Sequence, residues 1–119
     1  MNKQETYDKV CSHLLTQRAK SLHNKHEDIQ SCAYRGDEGR TCAIGCLIAD
    51  AYYNPSMEGV GVENMSVQKA LRFSGVDLSF TNLLAKLQSV HDVYEVEDWE
   101  TRLRAIAEKE GLIFKGVTS

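Results

Sequence analysis

The chain has 119 residues, 42% hydrophobic and 26% charged, with a formal net charge of −3. This composition is ordinary for one soluble globular domain covering 1–119. The negative balance argues against a nucleic-acid surface built on bulk basic charge, though not against a local basic patch. No run is long and apolar enough to span a bilayer, and the first residues, Met1 to Glu5, lack the apolar core of a signal peptide. The expectation is a cytosolic protein without a membrane partner. Its four cysteines are then thiols, metal ligands or a nucleophile before they are disulfides.

Residues 4–20 read as an amphipathic helix, with Tyr7, Val10, Cys11 and Leu14 on one face and Leu15 widening it. Ser21 to Gln30 has no period and reads as a loop. Next, Cys32 to Arg35 and Arg40 to Ile44 flank Gly36-Asp37-Glu38-Gly39, which predicts a β-hairpin with Arg35 paired to Arg40. The chain turns at Gly45, and Cys46 to Tyr53 reads as a short buried helix ended by Asn54-Pro55. A surface loop over 54–64 comes next. Ser66 is the expected N-cap of a helix over Val67 to Ser74, with Gly75 after its end. Ser79 is the expected N-cap of the next helix, striped by Phe80, Leu83, Leu84, Leu87, Val90 and His91. The last helix starts behind Glu97 and Asp98, carries Trp99, Leu103, Ile106 and Ala107 inward, and stops at Gly111, with Leu112 and Phe114 folding back. The predicted class is α+β: about five helices around one small hairpin.

Cysteine and histidine carry the candidate chemistry. Cys32, Cys42 and Cys46 have the spacing C-x9-C-x3-C, which offers three zinc ligands with a fourth from Cys11, His13, His23, His26 or His91. The plainer reading is small buried thiols in a tight corner. Cys42 or Cys46 near a helix N-terminus is a candidate nucleophile, with His91 as base and Asp92 beside it. His91 shares the leucine face, where a histidine is more often a hydrogen-bonded core residue. Arg35 and Arg40 bracket the turn, as anion clamps or as arginines loosely paired with Asp37 and Glu38. No phosphate loop, dinucleotide fingerprint or HExxH motif occurs, and no cofactor is expected.

Several stretches together resemble a family of small proteins from tailed bacteriophages and prophages. They are His13-Leu14-Leu15-x-Gln17, Cys32-x-Tyr34-Arg35, Gly39-x-x-Cys42-Ala43-Ile44-Gly45-x-Leu47-Ile48, Met57-Glu58-Gly59, Leu87-Gln88-x-x-His91-Asp92, and Trp99 with Leu103, Ile106 and Ala107. The resemblance covers most of the chain and carries no reaction. It implies a phage origin and action in the cytoplasm of an infected bacterium. Such accessory proteins often disable a host defence protein or sequester a signalling nucleotide. The expectation is therefore a non-enzymatic inhibitor that works by binding. A cysteine-dependent enzyme using Cys42 or Cys46 with His91, and a zinc domain using Cys32, Cys42 and Cys46, are the alternatives. The polar positions of the pattern, Gln17, Tyr34, Arg35, Gln88, His91 and Asp92, form either a ligand or partner site or an internal hydrogen-bond network.

Overall fold

The computed structural model describes residues 1–23 and 31–117. Four α-helices form the fold: α1 (Lys3–Gln17), α2 (Met65–Phe73), α3 (Thr81–Val93) and α4 (Trp99–Glu110). Asn2 opens α1 with a capping box. Its side chain accepts from the Glu5 N–H while the Glu5 carboxylate accepts from the Asn2 N–H. Arg18, left-handed at φ 47°, closes the helix. Asn64, rather than the expected Ser66, caps α2. Asp77 caps a 3-10 turn, Leu78–Phe80, that leads into α3, and Gly111 closes α4 at φ 70°. No helix among the described residues is long and apolar enough to cross a membrane.

The expected α+β class is corrected to an all-helical one. The hairpin from Cys32 to Ile44 does not form as strands: Arg35 meets Thr41, not Arg40, in a single bridge. Asp37–Gly39 is a 3-10 turn in which Glu38 itself is left-handed at φ 62°, ahead of Gly39 at φ 72°. Two successive left-handed residues swing the chain across the tip and shift the register by one. Elsewhere among the described residues, Leu22–His23 and Ser31–Cys32 alone pair, antiparallel, two residues a side. So short a ladder cannot make a sheet layer. The helix expected over Cys46 to Tyr53 is also absent. Two 3-10 turns, Gly45–Leu47 and Asp50–Tyr52, take its place, and Tyr52 is exposed. Of the loop expected over Ser21 to Gln30, residues 24–30 lie outside the described residues, as does His26.

The core joins the inward stripes of all four helices to the irregular segment 33–48. Tyr7, Val10 and Leu14 of α1, Leu71 of α2, Leu83, Leu84 and Leu87 of α3, and Trp99 and Leu103 of α4 are almost fully buried. Ala33, Cys42, Ala43, Ile44 and Leu47 are buried with them. The Tyr7 hydroxyl donates to Leu103 O across the core (2.6 Å), and Trp99 Nε1 donates to Tyr94 O (3.1 Å). The 33–48 segment folds so tightly on itself that a Cβ on Gly45 would sit 2.0 Å from Tyr34 O, a backbone atom that cannot step aside.

Two substitutions test this packing. Leu87→Ala, at 0% exposure, should destabilise the protein by about 2–5 kcal/mol in urea unfolding, the range for a buried leucine. Gly45→Ala should lose at least about 1–3 kcal/mol through overpacking against Tyr34. A change under about 0.5 kcal/mol at either site would refute the arrangement.

Candidate functional site

Segment 32–48 has little regular structure, yet much of it is buried, so its backbone polar groups need side-chain partners. On the α1 side, Gln17 grips Thr41 with both ends of its amide. Its Nε2 donates to Thr41 O (2.9 Å), and the Thr41 N–H donates to its Oε1 (3.1 Å). One turn earlier, His13 Nε2 lies 2.8 Å from Thr41 O and 2.9 Å from Thr41 Oγ1. A carbonyl only accepts, so Nε2 carries the proton. On the α3 side, the Ile44 N–H donates to Gln88 Oε1 (3.0 Å), and Gln88 Nε2 donates to both Asp92 oxygens (3.0 and 3.2 Å). From the loop after Met57, Glu58 accepts from the Tyr34 N–H (2.8 Å), the Arg35 N–H (3.1 Å) and the Tyr53 hydroxyl (2.6 Å).

His91 is fully buried, and both its nitrogens are engaged. The Ser21 N–H donates to Nε2 (2.8 Å), so Nε2 is bare; Nδ1 therefore carries the proton and donates to Asp92 Oδ1 (2.7 Å). Its ring lies 5.6 Å from that of Trp99. This arrangement bears on both expected chemistries. Cys32, His91 and Asp92 present ligand atoms within 4.8 Å of one another, a trio other than Cys32, Cys42 and Cys46. A metal-bound histidine normally donates its second N–H to an acceptor. Here the second nitrogen receives a donor instead, so a metal at Nδ1 would need an imidazolate or a broken Ser21 bond. As a base for Cys42 or Cys46, His91 has no free nitrogen to offer. Gly45 N–H donates to Cys42 Sγ (3.3 Å) and Cys46 Sγ donates to Ala43 O (3.1 Å).

The thiols are held protonated. Burial pushes Cys42 up to about 12, against opposing hydrogen bonds from the Gly45 N–H, the Gln88 side chain and the Ile44 N–H. Burial first, then neighbouring Cys42, does the same to Cys46, to about 12, and burial takes Cys11 to about 12. Cys32 is pushed up to about 11 by burial and then by the charge and hydrogen bond of Asp92. The absent helix at Cys46 also removes the dipole that was to lower a thiol pKa.

The six polar positions do not converge on one pocket. Tyr34, Gln88 and Asp92 border a cavity of about 250 Å³ with Cys32 and Glu58. Arg35 lies in another, of about 460 Å³, with His13, Arg40, Cys46 and Asp50. That one adjoins an open cleft of about 820 Å³ lined by Glu5, Asp8, Lys9, His13, Gln17, Glu38 and Arg40, the two sharing His13, Gly39 and Arg40. Arg35 stacks 4.4 Å over the Tyr53 ring, donates to Ile48 O (3.2 Å) and meets Asp50 Oδ1 (2.7 Å). Its Nε is buried and has no partner among the described residues. Ser21 escapes a reading of the sequence because loop residues carry no periodic signal, and Glu58 enters it only within Met57-Glu58-Gly59, with no role attached. His13 does carry one: it sits four residues before Gln17, bordering the apolar stripe of the same helix.

Comparisons with protein-family models, curated proteins and solved structures found no match to this chain.

Two measurements check these assignments. His91→Ala orphans the buried Ser21 N–H, and Gln88→Ala orphans that of Ile44; each should cost about 1–3 kcal/mol in urea unfolding. The thiols set an alkaline limit. In the unfolded chain they lose protons near 9, in the fold only near 11 and 12. The folded state thus binds more protons above pH 9, so the thiols should leave stability unchanged from pH 7 to about pH 8 and make it fall as pH rises toward 12. Unfolding midpoints that hold constant from pH 8 to pH 11 would overturn this.

Proposed function

We propose that this chain is an accessory protein of a bacteriophage, acting in the cytoplasm of an infected bacterium by binding a host defence protein. The partner is held against the cleft between α1 and the 36–41 tip. One observation carries the reading. The polar side chains best suited to chemistry are occupied in holding the protein's own backbone, whereas the cleft presents unlike charges side by side: Lys9 and Arg40 with Glu5, Asp8 and Glu38. The pattern running from Cys32-x-Tyr34-Arg35 to Leu87-Gln88-x-x-His91-Asp92 supports the phage setting.

Charge decides between the two kinds of partner. A signalling nucleotide placed in this cleft would bring its phosphates against three carboxylates, and a fourth, Asp50, lines the adjoining cavity. A protein surface of mixed charge matches both signs, and such matching sets specificity and on-rate. The alternatives, a cysteine-dependent enzyme or a zinc domain, draw no support from protonated thiols or from a histidine with both nitrogens engaged.

The test uses the tagged protein and its Lys9→Glu/Arg40→Glu variant, each recovered from bacterial cells and followed by mass spectrometry. Lys9 is exposed, and the Arg40 guanidinium pairs with Glu38 at 3.3 Å in a partly exposed bridge. Both proteins should therefore unfold at the same temperature. The wild type should retain one bacterial protein in near-stoichiometric amount, and the variant should lose it by about tenfold or more, as expected for loss of about 1.4 kcal/mol. Equal recovery by both, or no stoichiometric partner with the wild type, would refute the cleft.

A further inference from the structure

A different surface carries the opposite electrostatic character. Where α3 and its C-terminal end meet α4, Lys86, Tyr94, Arg102, Ala105, Ile106 and Lys109 enclose a groove of about 250 Å³. Its lining has three cations and no carboxylate. Four other cavities among the described residues each include at least one: Glu5, Asp8 and Glu38; Asp50; Glu58 and Asp92; and Glu110 in a small hollow beside Lys3 and Phe80. In a chain of net charge −3, three of fourteen basic residues around one carboxylate-free hollow make a local reversal of sign.

The cations are also weakly engaged. Arg102 lies 4.1 Å over the Tyr94 ring and makes no ion pair among the described residues, and Lys109 makes none either. Lys86 reaches Glu110 only at 3.8 Å, and that carboxylate is shared with Lys3 at 3.9 Å. Arg102, Ile106 and Lys109 stand at i, i+4 and i+7 on one face of α4, with Arg102 and Lys109 about 10.5 Å apart along the axis. Ala105 and Ile106 supply apolar surface to the same lining, and the Tyr94 ring lies under Arg102.

We propose that this groove binds a small phosphorylated ligand bearing a flat ring, such as a nucleoside monophosphate. The ring lies on Ala105 and Ile106 beside the Arg102–Tyr94 stack, and the phosphate sits between Lys86 and Lys109. Charge-assisted bonds to phosphate are the strong ones, and two lysine ammonium groups can each supply them, while the Arg102 guanidinium offers a planar face to the ring. The volume suits one small molecule; an acidic peptide would have to lie mostly outside it. This inference does not rest on the reading of the α1 cleft, which involves none of these residues.

The test is an amide chemical-shift titration of the full chain with adenosine 5′-monophosphate, adenosine, inorganic phosphate and a hexaglutamate peptide. The monophosphate should shift residues 86, 94 and 102–109 together, more strongly than adenosine or phosphate alone, and the shifts should shrink with added salt. Lys86→Glu and Lys109→Glu should each weaken it by about tenfold or more while leaving the unfolding temperature unchanged. Equal response to adenosine, shifts confined to other residues, binding unchanged in both variants, or a response to hexaglutamate alone would each overturn the proposal.

Discussion

Backbone groups buried without a ladder to join must be bonded by something else, and in this protein tight turns and side chains share the task. Among the described residues, segment 33–48 passes through the core with one isolated bridge and single-turn 3-10 pieces, whose own backbone bonds leave several N–H and C=O groups for side chains. Left bare in an apolar interior, each of its N–H or C=O groups would cost on the order of 1–3 kcal/mol. Gln17 and His13 from α1, Gln88 from α3 and Glu58 from the loop after Met57 bond Thr41, Ile44, Tyr34 and Arg35. The helices thus hold the segment twice, by apolar contact and by amide and imidazole groups along the edges of the same stripes, and Glu58 adds a carboxylate from the loop.

This arrangement limits chemistry as well as motion. A histidine that accepts a backbone N–H at Nε2 and donates to a carboxylate at Nδ1 has one fixed tautomer and no lone pair to spare. The buried Cys42 thiol stays protonated at neutral pH, because burial outweighs the N–H donors that would favour the thiolate. The same burial that secures the fold therefore works against pairing Cys42 or Cys46 with His91 as nucleophile and base.

The helices are legible in the sequence because their signal is local and repeated. The stripe Leu83, Leu84, Leu87, Val90 and His91 marks α3, and Gly111 marks the end of α4. The expected hairpin fails for a physical reason. Gly36 and Gly39 do signal a tight tip, but a tip fixes only the residues next to it. Beyond the tip, Cys42 to Gly45 are all buried, so no alternation of inward and outward residues exists to sustain a strand. Caps are legible as a type and not as a position: Asn64 and Ser66 stand two apart, and the asparagine carbonyl accepts the Ser66 N–H. The candidate site is legible as polar residues in need of partners. Which backbone atom each would meet depends on contacts between residues such as Gln88 and Ile44, forty-four positions apart, which no local pattern encodes.

The first helix shows how these holds shape a binding surface. Gln4, near its start, holds Ile113 of the C-terminal tail with both ends of its amide, as Gln17, at its end, holds Thr41. Asp8 adds a link to Lys115. The tip, which walls the cleft beside α1, is thus tied to the helix itself, and so is the tail. A cleft whose walls are fastened before a partner arrives loses little side-chain and loop freedom on binding, and that saving appears directly as affinity. His13 and Gln17 both line the cleft and fasten it, whereas Lys9 and Arg40 line it as charges. In the complex proposed above, a change at Lys9 or Arg40 would alter recognition without reaching the core.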